Sequence, residues 1–254
     1  MEYSRGKAGC IKVLSTNDKK HALRDIDVVI LAGGLGTRIR SVLGETPKVL
    51  APINDQPYID HLLNWLDLNG ASKIILSLGY LGEKVAVHVA GRSNVECIIE
   101  PKPQGTGGGL RFCRSLAKSD HVFVMNGDTW LETDLNAFVQ AHKISKKEVS
   151  MICLPVRNIS QYGRVIIEKD VVVNFAEKSR GSYGSGNINA GIYLFSQRAL
   201  SLLCSSNARS LETDFFSNLE KGYIHAYTPD NSKFIDFGTP ENLAVAGAIF
   251  PKKK

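Results

Sequence analysis

Leu31-Ala32-Gly33-Gly34-Leu35-Gly36-Thr37-Arg38, with Pro47-Lys48 shortly after it, brings together the residue types that hold phosphate. Glycine has no Cβ, so Gly33, Gly34 and Gly36 let backbone N–H groups approach an anion that bulkier residues would keep away. A helical turn beginning near Thr37 would add its free N-terminal amides. Arg38 offers a planar fork of donors for phosphate oxygens, and Lys48 is a mobile point charge that can follow a phosphoryl group. The chemistry this combination suits is the binding and polarisation of a nucleoside triphosphate.

Two better-known phosphate motifs do not fit. A dinucleotide fingerprint needs a third glycine, whereas Gly34-Leu35-Gly36 is followed by Thr37, Arg38 and Ile39. A P-loop ends in Gly-Lys-Ser/Thr, and that string is absent.

A second signal is Asn126-Gly127-Asp128-Thr129, which closes an apolar run and so sets a carboxylate at the carboxyl edge of a strand, where α/β sheets bind ligands. A third is the loop from Glu100 to Gly109, rich in proline and glycine, which leads into a helix expected from Leu110.

The ordered string Leu31 to Arg38, Pro47-Lys48, Pro52-Ile53 and Gln56-Pro57 resembles the signature of the sugar-1-phosphate nucleotidylyltransferases. The resemblance implies that Leu31, Ala32 and the Gly33–Thr37 loop hold the triphosphate, that Arg38 neutralises it, and that Lys48 lies beside the α-phosphate. It implies that Asp128 and the later Asp236 hold Mg²⁺, a hard cation suited to two carboxylates plus phosphate oxygens and water. Gly105, Thr106 and Gly107 would read the base, and Glu100 could accept protons from guanine N1 and N2. Gly163, Glu177, Lys178, Asn189 and Gly191 occur in the order the family uses to line its sugar pocket, although Ser179 replaces the usual proline after Glu177-Lys178.

The implied activity is transfer of a nucleoside monophosphate from an NTP to a sugar 1-phosphate, releasing pyrophosphate. The compact length resembles the short bacterial guanylyltransferases, which points to GTP and D-glycero-α-D-manno-heptose 1-phosphate in cell-surface polysaccharide synthesis. Guanylyl transfer to mannose 1-phosphate, or uridylyl transfer to an amino sugar phosphate, are the alternatives. A non-catalytic sugar-nucleotide-binding subunit would be expected to lose Arg38, Lys48 or a metal carboxylate, and all are present. A glycosyltransferase would carry an Asp-x-Asp site where Gly127-Asp128 stands.

These residues need a scaffold, and the chain alternates strand-like and helix-like runs, which predicts an α/β sheet flanked by helices. Strands are expected over Val28–Leu31, Lys73–Leu78, Val95–Ile99 and Val122–Met125. A helix opening at Asp55-Gln56-Pro57 should bury Ile59, Leu62, Leu63 and Leu66 and stop at Gly70. Thr239, Pro240 and Glu241 make an N-cap, first position and first turn for the final helix. The resemblance refines this to a Rossmann-like nucleotidyltransferase fold with a mixed, mostly parallel sheet. One catalytic domain is expected over 26–250, after a polar leader over 1–25.

Composition agrees. In 254 residues, 43% hydrophobic and 22% charged, there is enough apolar material for one sizeable core. The net charge of +6 owes three positives to Lys252-Lys253-Lys254, and no basic stretch is interleaved with aromatics, so nucleic acid is not an expected partner. The five cysteines show no paired spacing, and Cys97 and Cys153 sit in apolar runs as core residues. No run approaches the roughly 20 apolar residues of a membrane span, and no secretory h-region opens the chain, so a cytoplasmic protein is expected, with self-association into a homo-oligomer open.

Overall fold

The computed structural model describes residues 21–159, 162–176, 184–230 and 232–250. Strand β1 (Asp27–Ala32) runs into the glycine loop, a 3₁₀ turn (Thr37–Ile39) and the short helix α1 (Arg40–Leu43). After a 3₁₀ turn at Lys48–Leu50 comes a hairpin, β2 (Pro52–Ile53) and β3 (Gln56–Pro57). Its tip residues Asn54 and Asp55 both have positive φ, 48° and 65°, the type I′ geometry that matches strand twist. Asp55 therefore belongs to this turn, and helix α2 (Tyr58–Leu68) starts just past Pro57 rather than at Asp55. Its buried face is Ile59, Leu62, Leu63 and Leu66, as the spacing predicts.

The chain continues through β4 (Ile74–Leu78), α3 (Gly82–Val89), β5 (Val95–Ile99), α4 (Gly105–Cys113), β6 (His121–Asn126), β7 (Thr129–Glu132), α5 (Leu135–Ser145) and β8 (Val149–Val156). Then follow β9 (Arg164–Glu168), β10 (Val171–Ala176), β11 (Gly186–Ser196), α6 (Gln197–Ser205), a π turn (Leu211–Phe215), a 3₁₀ turn (Phe216–Asn218), β12 (Ile224–Tyr227), β13 (Lys233–Asp236) and α7 (Pro240–Ala246). The expected strands are all present to within a residue or so at either end.

Among the described residues the main sheet has the order β5-β4-β1-β6-β11-β8-β12-β10-β9, with β9 also returning to β11. The mixed sheet flanked by helices matches expectation. Parallel pairing, however, is confined to β5-β4-β1-β6 and to β8–β12, and the other neighbours are antiparallel. Helical crossovers link the parallel strands of the first half, whereas in the second half β9 and β10 form a hairpin and β11 runs back between β6 and β8.

Alternate residues of one strand feed two cores. Val28 and Ile30 of β1 join Ile74, Leu76 and the α2 leucines on one face, while Val29 joins Ile75, Leu110 and Val124 on the other. Leu23 is also fully buried, and its N–H donates to Asn69 O, so residues 21–25 pack with the body despite their polar composition. The rest of the leader, 1–20, lies outside the described residues.

A smaller ribbon, β7 paired antiparallel to β13, stands beside the main sheet. It sets Asp236 opposite Thr129, and the Phe237 N–H donates to Asp128 O at 2.9 Å. Helix α7 secures the end of this ribbon: Thr239 caps it through the Asn242 N–H, and the Asn242 side chain donates to Asp236 O at 2.7 Å.

Candidate active site

The carboxyl ends of β1 and β6 meet over a cavity of about 400 Å³. Its floor is Leu31, Ala32 and Gly33, with Asn126 and Gly127 from the neighbouring strand. This is the place where a parallel α/β sheet binds ligands. Lys48 and Asp128 stand at one end, and Glu100, Gly105 and Thr106 at the other.

At the first end the Lys48 ammonium lies 2.5 Å from Asp128 Oδ2 and 4.0 Å from Asp236 Oδ1. Burial raises the Asp236 carboxyl above the ordinary aspartate range, and the Asp128 charge raises it further, with Lys48 and Arg38 opposing. Asp236 Oδ1 is buried with no hydrogen-bond partner. Tyr58, fully buried, donates from its hydroxyl to Thr129 O at 2.6 Å and lays its ring 4.3 Å from Phe237, so one side chain braces both strands that carry the carboxylates.

At the other end Glu100 is 8% exposed, and its carboxylate accepts from the Ser77 hydroxyl and from the Gln104 N–H, both at 2.9 Å. A carboxylate has about four acceptor positions, so two remain. The close approach that holds it needs a glycine: a Cβ on Gly109 would lie 2.8 Å from both Glu100 Oε1 and Ser77 Oγ. For the same reason α4 begins at Gly105 and not at Leu110. Gly105, Gly107 and Gly109 are helical because bare backbone packs against Glu100 and against the 208–209 segment, where tertiary contact outweighs their poor helix propensity, and Gly108 lies against the Gln104 side chain.

The structure brings together Leu31, Ala32, Gly33, Gly34, Lys48, Glu100, Gly105, Thr106 and Asp128 around one cavity, with Asp236 beside Lys48. Thr37 and Arg38 lie on the exposed shoulder of the loop, Gly36 is half-buried beside Lys48, and Gly107 is turned to Arg209, whose carbonyl accepts its N–H at 2.8 Å. Asn189 does not face the cavity: its amide nitrogen donates to the Tyr193 hydroxyl, and its oxygen accepts the Gly191 N–H. Gly191 has φ of +71°, and a Cβ there would lie 2.5 Å from Asn126 Nδ2, so the space it leaves is taken by that side chain rather than by a ligand. Gly163 is exposed next to Tyr162, whose ring meets Phe234 of β13. Glu177 and Lys178 lie outside the described residues.

Arg209 also lines the cavity and donates to Pro103 O at 3.3 Å, and Glu212 ties the head of α4 to β11. Both sit in a short turn without a local pattern to mark them. Of the cysteines, Cys113 and Cys153 are buried thiols pushed up to about 12, consistent with packing roles. No helix among the described residues is long and apolar enough to cross a membrane.

A glycine-floored cavity at a parallel-sheet edge, with a lysine between two carboxylates, defines a nucleotide-binding α/β protein built for phosphoryl chemistry. The chain belongs to the nucleotidyl transferase family, whose model matches residues 27–251. It is 32% identical over 228 residues to a D-glycero-α-D-manno-heptose 1-phosphate guanylyltransferase of Aneurinibacillus thermoaerophilus, covering 87% of this chain and 96% of that protein. A mannose-1-phosphate guanylyltransferase of Mycobacterium tuberculosis is 30% identical, over 89% of this chain but 65% of that protein. The crystal structure of HddC from Yersinia pseudotuberculosis superposes with a TM-score of 0.79 at 32% identity, covering 89% of this chain and all of that one, and the same protein complexed with GMP-PN gives 0.77.

Proposed function

We propose that this enzyme transfers GMP from GTP to D-glycero-α-D-manno-heptose 1-phosphate, giving the GDP-sugar and pyrophosphate in the cytosol. The observation that carries this is the cavity's polarity: Lys48, Asp128 and Asp236 at one end and the acceptor-only Glu100 at the other. Guanine presents N1–H and N2–H donors side by side, and the two free acceptor positions of Glu100 suit them. The heptose and guanylyl names of the relatives support the same choice.

In the reaction an oxygen of the sugar phosphate attacks the α-phosphorus in line. A new P–O bond forms, the bond from the α-phosphorus to the bridging oxygen breaks, and pyrophosphate leaves with that electron pair. The nucleophile is already anionic at neutral pH, so no protein base is required, and catalysis consists of positioning and charge stabilisation. The Gly33–Thr37 loop holds the triphosphate, Arg38 neutralises it, and Lys48 follows the charge on the α-phosphate. Gly163, Glu177 and Lys178 receive the sugar phosphate, and Asn189 and Gly191, whose own contacts are with Tyr193 and Asn126, support its wall from behind.

Asp128 and Asp236 suit Mg²⁺: both are hard oxygen donors, and a buried Asp236 oxygen accepts no hydrogen bond. The ion would be held by these two carboxylates, with water and phosphate oxygens completing its shell, and would supply charge neutralisation.

The test is pyrophosphate release across GTP, UTP, CTP, ATP and dTTP, each paired with heptose, mannose and glucose 1-phosphates. Turnover confined to GTP with the heptose phosphate is expected. Preference for mannose 1-phosphate would move the substrate within the family, and silence across the grid would overturn the reading.

A further inference from the structure

A chain of hydrogen bonds runs behind the cavity, from the base end to the sugar wall, and Glu212 is its centre. The Thr106 hydroxyl, at the head of α4, donates to Glu212 Oε2 at 3.1 Å, and the Ser210 hydroxyl donates to the same oxygen at 2.9 Å. The Tyr193 hydroxyl, fully buried on β11, donates to Oε1 at 3.1 Å.

Each of these hydroxyls also accepts from another group. Thr106 Oγ1 already accepts the Leu211 N–H, Ser210 Oγ accepts the N–H groups of Glu212 and Thr213, and Tyr193 Oη accepts the Asn189 amide. Each hydroxyl thus has its own proton available for Glu212, whose two carboxylate oxygens accept all three bonds. The residue sits in a π turn, a rare local geometry often found at functional sites.

We propose that Glu212 is a positioning residue that locks the base-reading head of α4 and the Asn189–Gly191 turn into one unit, so that disturbing the sugar wall weakens nucleotide binding. This rests on the nucleotidyl-transfer reading of the cavity. Glu212 does not line the cavity. Its effect reaches the nucleotide through Thr106 and the sugar wall through Tyr193 and Asn189.

The distinguishing experiment is a titration of GTP with Mg²⁺ by calorimetry into the full chain, Tyr193→Phe, Glu212→Gln and the double variant, alongside KM for the sugar phosphate. Gln keeps the shape of Glu212 but places an amide donor against a hydroxyl proton. Glu212→Gln is expected to weaken GTP roughly fivefold to tenfold, and Tyr193→Phe, on the sugar side, to weaken it several-fold in the parent chain but less than about twofold in the Glu212→Gln background. Unchanged GTP affinity in Tyr193→Phe, or effects that simply multiply in the double variant, would overturn the proposal. Absence of GTP binding by the parent chain would instead overturn the nucleotidyl-transfer reading. The linkage would then be judged by thermal unfolding midpoints: sub-additive shifts in the double variant support it, and additive ones refute it.

Discussion

The Lys48 ammonium is held between two carboxylates that lie far apart in the chain, 2.5 Å from Asp128 Oδ2 and 4.0 Å from Asp236 Oδ1. One cation thus faces the pair that we assign to Mg²⁺, and its place is set by the 3₁₀ turn at Lys48–Leu50.

Replacing Lys48 with alanine removes the cation assigned to the charge that develops on the α-phosphate. We expect kcat/KM for pyrophosphate release to fall about 10²–10³-fold, with the far-ultraviolet circular dichroism unchanged. Turnover near the parent value would remove Lys48 from the mechanism.

Asp236 carries a charge that burial and Asp128 both disfavour, so the site is costly to the empty protein. Asp236→Asn should abolish most activity yet raise the melting temperature of the metal-free protein by roughly 2–4 °C. Adding MgCl₂ should raise the parent's melting temperature and leave the variant's unchanged. Equal Mg²⁺ responses in the two proteins would count against the assignment.

Away from the cavity, His142 is buried between Ser150 Oγ, 2.7 Å from its Nδ1, and His121 Nδ1, 3.0 Å from its Nε2, with His225 on the far side of Ser150. Burial, then the charges of His121, His225 and Lys143, lower it from 6.5 to about 4. The unfolded chain therefore binds this proton more readily than the folded one, and the stability His142 contributes is full above about pH 7 and lost as pH falls from 6.5 towards 4. Urea midpoints should drop over that window, and His142→Gln should flatten the drop. A parent profile without the drop would contradict the assignment.

Gly109→Ala offers a reversal of the usual helix rule. In an exposed helix the change stabilises by about 1 kcal/mol, but here the new Cβ meets Glu100 Oε1 and Ser77 Oγ at 2.8 Å. We expect destabilisation of about 1–3 kcal/mol, measured by urea denaturation, together with weaker GTP binding. A more stable variant would show that the Glu100 pocket yields easily.

What the sequence alone determined is local. Gly33 to Gly36 after an apolar run, the 3.6-residue spacing of Ile59, Leu62, Leu63 and Leu66, and the Thr239-Pro240 cap are each decided by a few neighbouring residues, so they could be read directly. The pairing of Asp236 with Asp128 was legible only through the family resemblance. It depends on the β7–β13 ribbon, whose strands carry no mark of their partner. Three features were decided by tertiary contact: the helical state of Gly105 to Gly109, the filling of the Gly191 gap by Asn126, and the roles of Arg209 and Glu212. Each arises where segments distant in the chain approach closely, and the energy of such an approach resides in the pair rather than in either stretch of sequence.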